Sequence, residues 1–492
     1  MEKATISIDI GSSGIRCCAF DLHGRQIAAA GHSYRVWYSG DGGAEQEAGD
    51  WEKGLTEGLT ELYAKIRSDW TVAGIAMTGQ CPTYLPVKRD MTPAGRAYIY
   101  QDNRARAEAE ELAERFGRRR IHDGSGNDAQ AFFILPKILW QRKYRPEEFG
   151  KTVKALQPLD YVGYLLTGEL ATGKPNACGT LAFDRMAGGW NVTLLEELNL
   201  PSDFFPDRLM NSTEILGEVT AYMAEKTGIP KGTRVVYGGP DSQCCCYGTG
   251  AVEEDILSNM SGTSTCLNSI RREPNPDLRV ANYLHVTPDG LWCEETGLNT
   301  TGASLKKVSG ILFGREDAYD QMTALLEDTD AGSRGLFYLP YLSEGERDDA
   351  LIRGGFYHMT MASERGDFIR AVMEGVAFAE KERAQMMENR NRPYRKMMIS
   401  GGGCRMAAWN QIKADVMGIP VDALRGYDAA EAGAAAIAAT GVGEFADLNE
   451  AIKAYDLRPE EYLPRTEMTG PYRELYEAFI ELENRQRGEI KP

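Results

Sequence analysis

TISIDIGSSGIRCCAFDLHGRQIAAAGHSY, residues 5–34, is the stretch that decides the fold. TISIDI alternates polar and β-branched side chains, the period of a strand with one buried face. GSSG interrupts the run, IRCCAFD resumes it, LHG interrupts it again, and RQIAAAGHSY makes a third run. Three strands joined by short turns predict a meander with a polar, glycine-bearing loop at its first corner. A helix is expected around residues 50–68, then a buried strand at VAGIAMTG. Further helical segments are expected over 104–117 and 134–145, and in PLDYVGYLLTGE, ending at Thr167–Gly168. The second half reopens on the same theme, with EEDILSNMSGTSTCLNSI reading strand, Gly/Ser/Thr turn, strand. A polar hairpin near the start of each half predicts a duplicated α/β domain with a cleft between the copies. The expected division is 1–250, 251–445 and a helical C-terminal appendage over 446–492, with the main boundary near 247–256.

The 492 residues suffice for two to four domains at roughly 100–200 residues each. A formal net charge of −17 makes the chain a poor binder of nucleic acids or anionic membranes, which demand clustered Lys and Arg. A phosphorylated small molecule remains a suitable ligand. No apolar run approaches the roughly 20 residues that span a bilayer. MEKATISIDIGSSG runs into a strand without the apolar core of a signal peptide, so a cytoplasmic protein is expected. Ten cysteines, at 17, 18, 81, 178, 244, 245, 246, 266, 293 and 404, include no CxxC pair and no zinc spacing. They read as small buried thiols in a reducing compartment.

Four segments carry chemistry. In DIGSSGIR, the backbone N–H groups of Gly11, Ser12 and Ser13 can wrap phosphate oxygens closely because no bulky side chain intervenes. Asp9 can hold Mg²⁺ against the same phosphates, and Arg16 supplies positive charge. SGTSTC, Ser261 to Cys266, occupies the equivalent place in the second half. Two such turns could grip one polyphosphate from two sides. SGGGCRMAAWNQ, from Ser400, leaves bare backbone before a helix, a flat shelf for an adenine ring. It matches neither the GxGxxG nor the GxxxxGK[ST] pattern. VVYGGPDSQCCCYGTGA, residues 235–251, sets Asp241 at a strand-to-helix junction, as a helix cap or as a reacting group.

The order of these motifs resembles the FGGY carbohydrate kinase family, of the actin, hexokinase and heat-shock ATPase superfamily. AMTGQCPTYLPV resembles its sugar-site segment, and YIYQDNRA its W-x-D-x-R segment, with Tyr100 in place of the tryptophan. PLDYVGYLLTGE and CGTLAFDRMAGGWN resemble its N-domain signature, and GGPDSQCCCYGTGAV its catalytic segment. LFYLPYLSEGER and RAVMEGVAFA resemble its C-domain. The resemblance spans about residues 4–445 and implies two ribonuclease-H-like domains with ATP, Mg²⁺ and a sugar in the cleft. It implies transfer of the γ-phosphoryl group to a sugar or polyol hydroxyl, a pentulose above all, with Asp241 as general base. Gln80, Cys81, Asp102, Arg104, Asp241 and Ser242 would face the substrate. Gly11, Ser12, Ser13, Arg16, Gly262, Thr263 and Gly302 would contact ATP phosphates, with Gly402 and Gly403 the adenine shelf and Asp9 and Asp241 the metal ligands. A homodimer is compatible with this reading. A nucleotide-switched interaction protein, or a catalytically silent sugar sensor, is the alternative within the superfamily. The chain departs from the family at Cys81-Pro82, where the xylulose-phosphorylating branch carries Met-His and the glycerol branch Arg-Glu. It departs again at Lys307, where a tryptophan is frequent, and at Arg405-Met406 near the adenosine site.

Overall fold

The opening alternation folds as a meander: β1 (Glu2–Ile10), β2 (Gly14–Asp21) and β3 (Gln26–Ser33) pair antiparallel in turn. The computed structural model describes residues 1–274, 283–343, 346, 352–388 and 392–488. After the meander, α1 (Ala48–Ile66) buries Trp51, Leu55, Leu59, Leu62 and Ile66, a stripe at helical spacing. Then β4 (Trp70–Gly79) enters parallel to β1. The expected helix in PLDYVGYLLTGE is α2 (Pro158–Thr167), closed by Gly168 in the left-handed conformation. β5 (Ile215–Glu218) and β6 (Arg234–Pro240) complete a six-stranded sheet of order β5-β6-β4-β1-β2-β3, with β6 parallel to β4. α3 (Asp241–Thr249) follows directly. A second apolar cluster, from Tyr84 and Tyr98 to Phe204 and Phe205, packs the helical residues between α1 and β5.

The second half repeats the plan. β7 (Ile256–Ser261) and β8 (Thr265–Arg271) form an antiparallel hairpin, with β9 (Trp292–Leu298) beside β8. α4 (Gly302–Phe313) and the long α5 (Arg365–Met387) precede β10 (Lys396–Ser400), which is parallel to β7. α6 (Ala407–Met417) leads to β11 (Val421–Ala423), parallel to β10. α7 (Ala429–Gly441) comes next, then β12 (Glu460–Tyr462), antiparallel to β11, and α8 (Thr469–Arg487). Each half thus has an opening antiparallel hairpin, two added parallel strands and an antiparallel edge strand. The fold is α/β, with two ribonuclease-H-like domains of the actin and hexokinase type.

Grouped by contacts, the two units are not contiguous along the chain. Contacts group Met1–Gly250 with Tyr283–Cys293 and Ala430–Asp456, and the remaining segments form the second unit. The reason is packing. A Cβ at Gly433 would lie 1.8 Å from the Cys244 carbonyl oxygen, so α7 rests backbone to backbone on α3. The residues past 456 are no appendage either: β12 edges the second sheet, and Tyr472, Phe479 and Leu482 of α8 enter that unit's core. Glu344, Gly345 and Arg347 of LFYLPYLSEGER, and residues 489–492, lie outside the described residues.

Candidate functional site

Three parallel strands of the first sheet end side by side. β1 ends beyond Asp9, β4 leads into Gln80, and β6 leads into Asp241, with Ile10 and Pro240 both in register with Gly79. Asp9 and Asp241 are half-buried. Burial raises the Cys244 thiol, and the charges of both Asp241 and Asp9 add to the rise, so the two carboxylates act on the same neighbour. Pro240 is the cap of α3, and Asp241 is its first helical residue, its Oδ1 accepting the Ser242 N–H at 2.7 Å. Gly238 makes this junction: its φ is +89°, and a Cβ there would sit 1.7 Å from the Met77 carbonyl oxygen. The register slips beside it, and the Tyr237 hydroxyl donates to Asp160 Oδ1 at 2.5 Å beneath the strand. Burial lifts the Asp160 carboxyl to about 7.

The first turn is held from behind by its carbonyls. The Tyr34 hydroxyl donates to the Gly11 oxygen at 2.5 Å, Gln46 Nε2 to the Ser12 oxygen at 2.7 Å, and the Tyr34 N–H to the Ser13 oxygen at 3.1 Å. The Ser12 and Ser13 N–H groups have no backbone acceptor among the described residues, the condition for receiving an anion. Arg16 lies directly across from Asp9 in the β1–β2 register and stands 3.4 Å from Glu431 of α7.

Gln80 is buried, its N–H on the Ile10 oxygen at 3.0 Å and its Nε2 on Gln46 Oε1 at 2.7 Å. Cys81 and Pro82 are joined by a cis peptide. The Cys81 Sγ lies 3.2 Å from Gln157 Oε1 and 3.2 Å from the Tyr283 hydroxyl. Asp102 is 1% exposed, so its pair with Arg104 is buried. Arg104 Nε lies 3.1 Å from both Asp102 oxygens, and its Nη2 reaches Glu45 Oε1 at 2.6 Å, an atom that Arg145 also holds at 2.7 Å. The Ala44 N–H adds a bond to Asp102 Oδ2 at 3.0 Å. Ser242 is buried, and the three cysteines behind it are fully so.

In the second unit, the carbonyls of the Gly262–Thr263 turn cap α4. The Gly262 oxygen takes the Gly302 N–H at 3.2 Å, and the Thr263 oxygen takes those of Thr301 and Ala303 at 3.1 Å each. Gly302 is required for this approach, since a Cβ would lie 2.2 Å from the Gly262 oxygen. The triple glycine divides its tasks. Gly403 is pressed on Ser261, a Cβ falling 2.1 Å from its Oγ, whereas nothing lies within 4 Å of the position at Gly402. Beneath the turn, Lys413 and Glu380 form a fully buried ion pair at 2.9 Å, and Thr265 Oγ1 donates to the same Glu380 oxygen at 3.2 Å.

The structure therefore gathers Asp9, Gly11, Ser12, Ser13, Arg16, Gln80, Cys81, Asp241 and Ser242 about one end of the first sheet. It gathers Gly262, Thr263, Gly302, Gly402 and Gly403 about the second turn. Asp102 and Arg104 form a buried wall in the first unit. Sequence reading missed Gln46, Trp51, Lys137, Gln157 and Tyr283, and Glu380 and Lys413 in the second unit. A polar residue inside an apolar helical stripe was the available signal for Lys137, in LPKILW, and for Lys413.

Comparison with known proteins identifies the family. Residues 4–248 match the FGGY family of carbohydrate kinases, N-terminal domain, and residues 257–442 match the C-terminal domain. The chain is 28% identical to the xylulose kinase of Bacillus subtilis, covering 97% of this chain and 96% of the relative. It is 26% identical to that of Staphylococcus epidermidis, with the same coverage of 97% and 96%. Among solved structures, a xylulose kinase from Rhodospirillum rubrum superposes with a TM-score of 0.89 at 26% identity, over 98% of each chain. A ligand-bound xylulose kinase and a gluconate kinase, both from Lactobacillus acidophilus, each give 0.91 at 22% identity over 98% of each chain.

Proposed function

The chain belongs to the FGGY family of carbohydrate kinases, enzymes that use ATP, and from that premise we propose that it phosphorylates a pentulose, xylulose first among them. The observation that carries the assignment is Asp241, half-buried at the first turn of α3, at the end of the sheet that also presents Asp9 and Gln80. A sugar hydroxyl has a pKa far above neutrality. A carboxylate within hydrogen-bond reach orients it and takes its proton as the oxygen bonds to the γ-phosphorus and the bond to the ADP oxygen breaks. The rest of the work is positioning and charge neutralisation. Gly11, Ser12 and Ser13 offer N–H groups, Arg16 a cation, and Gly262, Thr263 and Gly302 a second turn for the phosphates. Gly402 supplies the open face for adenine, with Gly403 fixing the backbone behind it.

Asp9 and Asp241 suit Mg²⁺, since both are half-buried carboxylates, the hard oxygen donors that ion prefers, and the thiols of Cys244, Cys245 and Cys246 behind Asp241 are buried. When bound, the ion would draw charge from the phosphate oxygens. Gln80 and Cys81, backed by Asp102 and Arg104, would meet the sugar, with Ser242 beside the base. No described helix is long and apolar enough to cross a membrane. With a net charge of −17, we place the enzyme in the cytoplasm without nucleic-acid partners, as a monomer or homodimer.

The test is a coupled ADP-release assay over ketoses, gluconate, glycerol and erythritol, with and without a magnesium chelator. Xylulose is expected to give the highest kcat/KM, and chelation to stop turnover. Asp241→Asn should lower kcat by about 10²–10⁴-fold and leave calorimetric ATP binding within about two-fold. Wild-type turnover in Asp241→Asn would remove the base assignment, and a preference for gluconate would reassign the substrate.

A further inference from the structure

The side-chain amide of Gln46 lies at the crossing of three hydrogen bonds inside the first unit. Its Nε2 donates to the Ser12 carbonyl at 2.7 Å, and its Oε1 accepts from Trp51 Nε1 at 3.1 Å and from Gln80 Nε2 at 2.7 Å. All three side chains are buried. Two of the partners have no choice of role, because an indole N–H only donates and a peptide carbonyl only accepts. The oxygen and nitrogen of an amide are alike in shape, so such partners decide its sense. Here they turn the Gln46 oxygen toward Trp51 and its nitrogen toward Ser12. With the Gln46 oxygen committed as an acceptor, Gln80 can present only its NH₂ group to it. Gln80 Oε1 is thereby directed away from Gln46, and it is buried with no hydrogen-bond partner among the described residues. A buried acceptor of this kind is left open to a donor, which a water or a ligand hydroxyl can supply. The Gln80 backbone is anchored to Ile10, at the same end of the sheet as Asp9 and Asp241.

We propose that Gln46, fixed by Trp51 and Ser12, is a positioning residue that sets the sense of the Gln80 amide, so that Gln80 reads the acceptor sugar by taking a hydrogen bond from one of its hydroxyls. The inference rests on the carbohydrate kinase reading above and adds to it the polarity of the contact. It also makes one amide serve both segments, since the group that orients Gln80 holds the carbonyl of the phosphate turn. The selectivity that follows is for a group that donates. Fluorine keeps much of the size of a hydroxyl but cannot donate, so it fails at that position as a bare hydrogen does.

The experiment uses the sugar that the full-length enzyme turns over best, with its monodeoxy and monodeoxyfluoro analogues at each non-reacting hydroxyl. At one position both analogues should raise KM by about ten-fold, with kcat largely kept and the fluoro analogue no better than the deoxy. Gln80→Leu should erase the discrimination at that position alone. Gln46→Met should raise the KM of the parent sugar by about ten-fold and blunt the same discrimination, with an unchanged circular dichroism spectrum. Gln46→Glu still accepts from Trp51 and Gln80 but cannot donate to Ser12, so it should keep the discrimination and raise the KM for ATP instead. If Gln46→Met does not fold, Trp51→Phe removes only the fixed donor and should blunt the discrimination more weakly. Wild-type sugar KM and discrimination in whichever of Gln46→Met and Trp51→Phe folds would overturn the proposal, as would a fluoro analogue that restores binding at every position. A wild-type enzyme that turns over no sugar overturns the kinase reading and this proposal with it. Turnover by the wild type with an unaltered Gln46→Met overturns the positioning role alone.

Discussion

Lys137 shows what burial does to a single charge. Its Nζ donates to carbonyls, that of Ile99 at 2.8 Å and those of Pro82 and Tyr98 at 3.5 Å, so it ties the Cys81-Pro82 segment to the one leading to Asp102. Burial lowers its pKa from the ordinary 10.5 to about 7. Between those values the unfolded chain holds a proton that the folded chain has released, so stability rises with pH across that window. The slope from this one group is up to about 1.4 kcal/mol per pH unit, and Lys137→Met should flatten it in urea titrations between about pH 7 and 10. Cys81 and Cys266 are half-exposed where the other cysteines are buried, so a small alkylating reagent should modify these two first, and sugar should slow the reaction at Cys81. Mass spectrometry of tryptic peptides reads both effects. Asp241 and the glycines before it were legible in the sequence because a carboxylate at a Gly-Gly-Pro junction is a local signature. Gln46, Gln157 and Tyr283 were not, because their meaning lies in partners far along the chain: Cys81 and Tyr283 are separated by 202 positions.

At the scale of elements, the hairpins were legible and their supports were not. The alternation of β1 and β2 and the Gly/Ser turn between them follow from local sterics and burial, which a reader of the sequence can follow residue by residue. The second turn, by contrast, stands on Lys413 of α6 and Glu380 of α5, and nothing local says that these two helices meet beneath it. Lys413→Met alone leaves a buried carboxylate without its cation and should cost about 3–5 kcal/mol in chemical denaturation. Lys413→Met with Glu380→Leu should recover most of that loss, because a well-packed apolar pair avoids the desolvation of both ions. If the pair positions the turn as well as stabilising it, the double variant should still show a raised KM for ATP and an unchanged KM for sugar.

Over the whole molecule, the duplicated plan was readable from two hairpins, whereas the interleaving of the units was not. A meander announces itself by its period, but the return of α7 to the first unit depends on a glycine, Gly433, that only the contact with Cys244 explains. The segment 1–250 made alone lacks that cover. Its Cys244, Cys245 and Cys246 should react with a thiol-specific chromophore within minutes, while the same cysteines of the full chain should resist until it is unfolded. Equal reactivity in both would show that α7 does not shield them. The order of synthesis gives the same feature another meaning. Ala430–Asp456 belongs to the first unit yet leaves the ribosome long after the sheet it covers. The growing chain carries an unfinished first domain through the synthesis of most of the second.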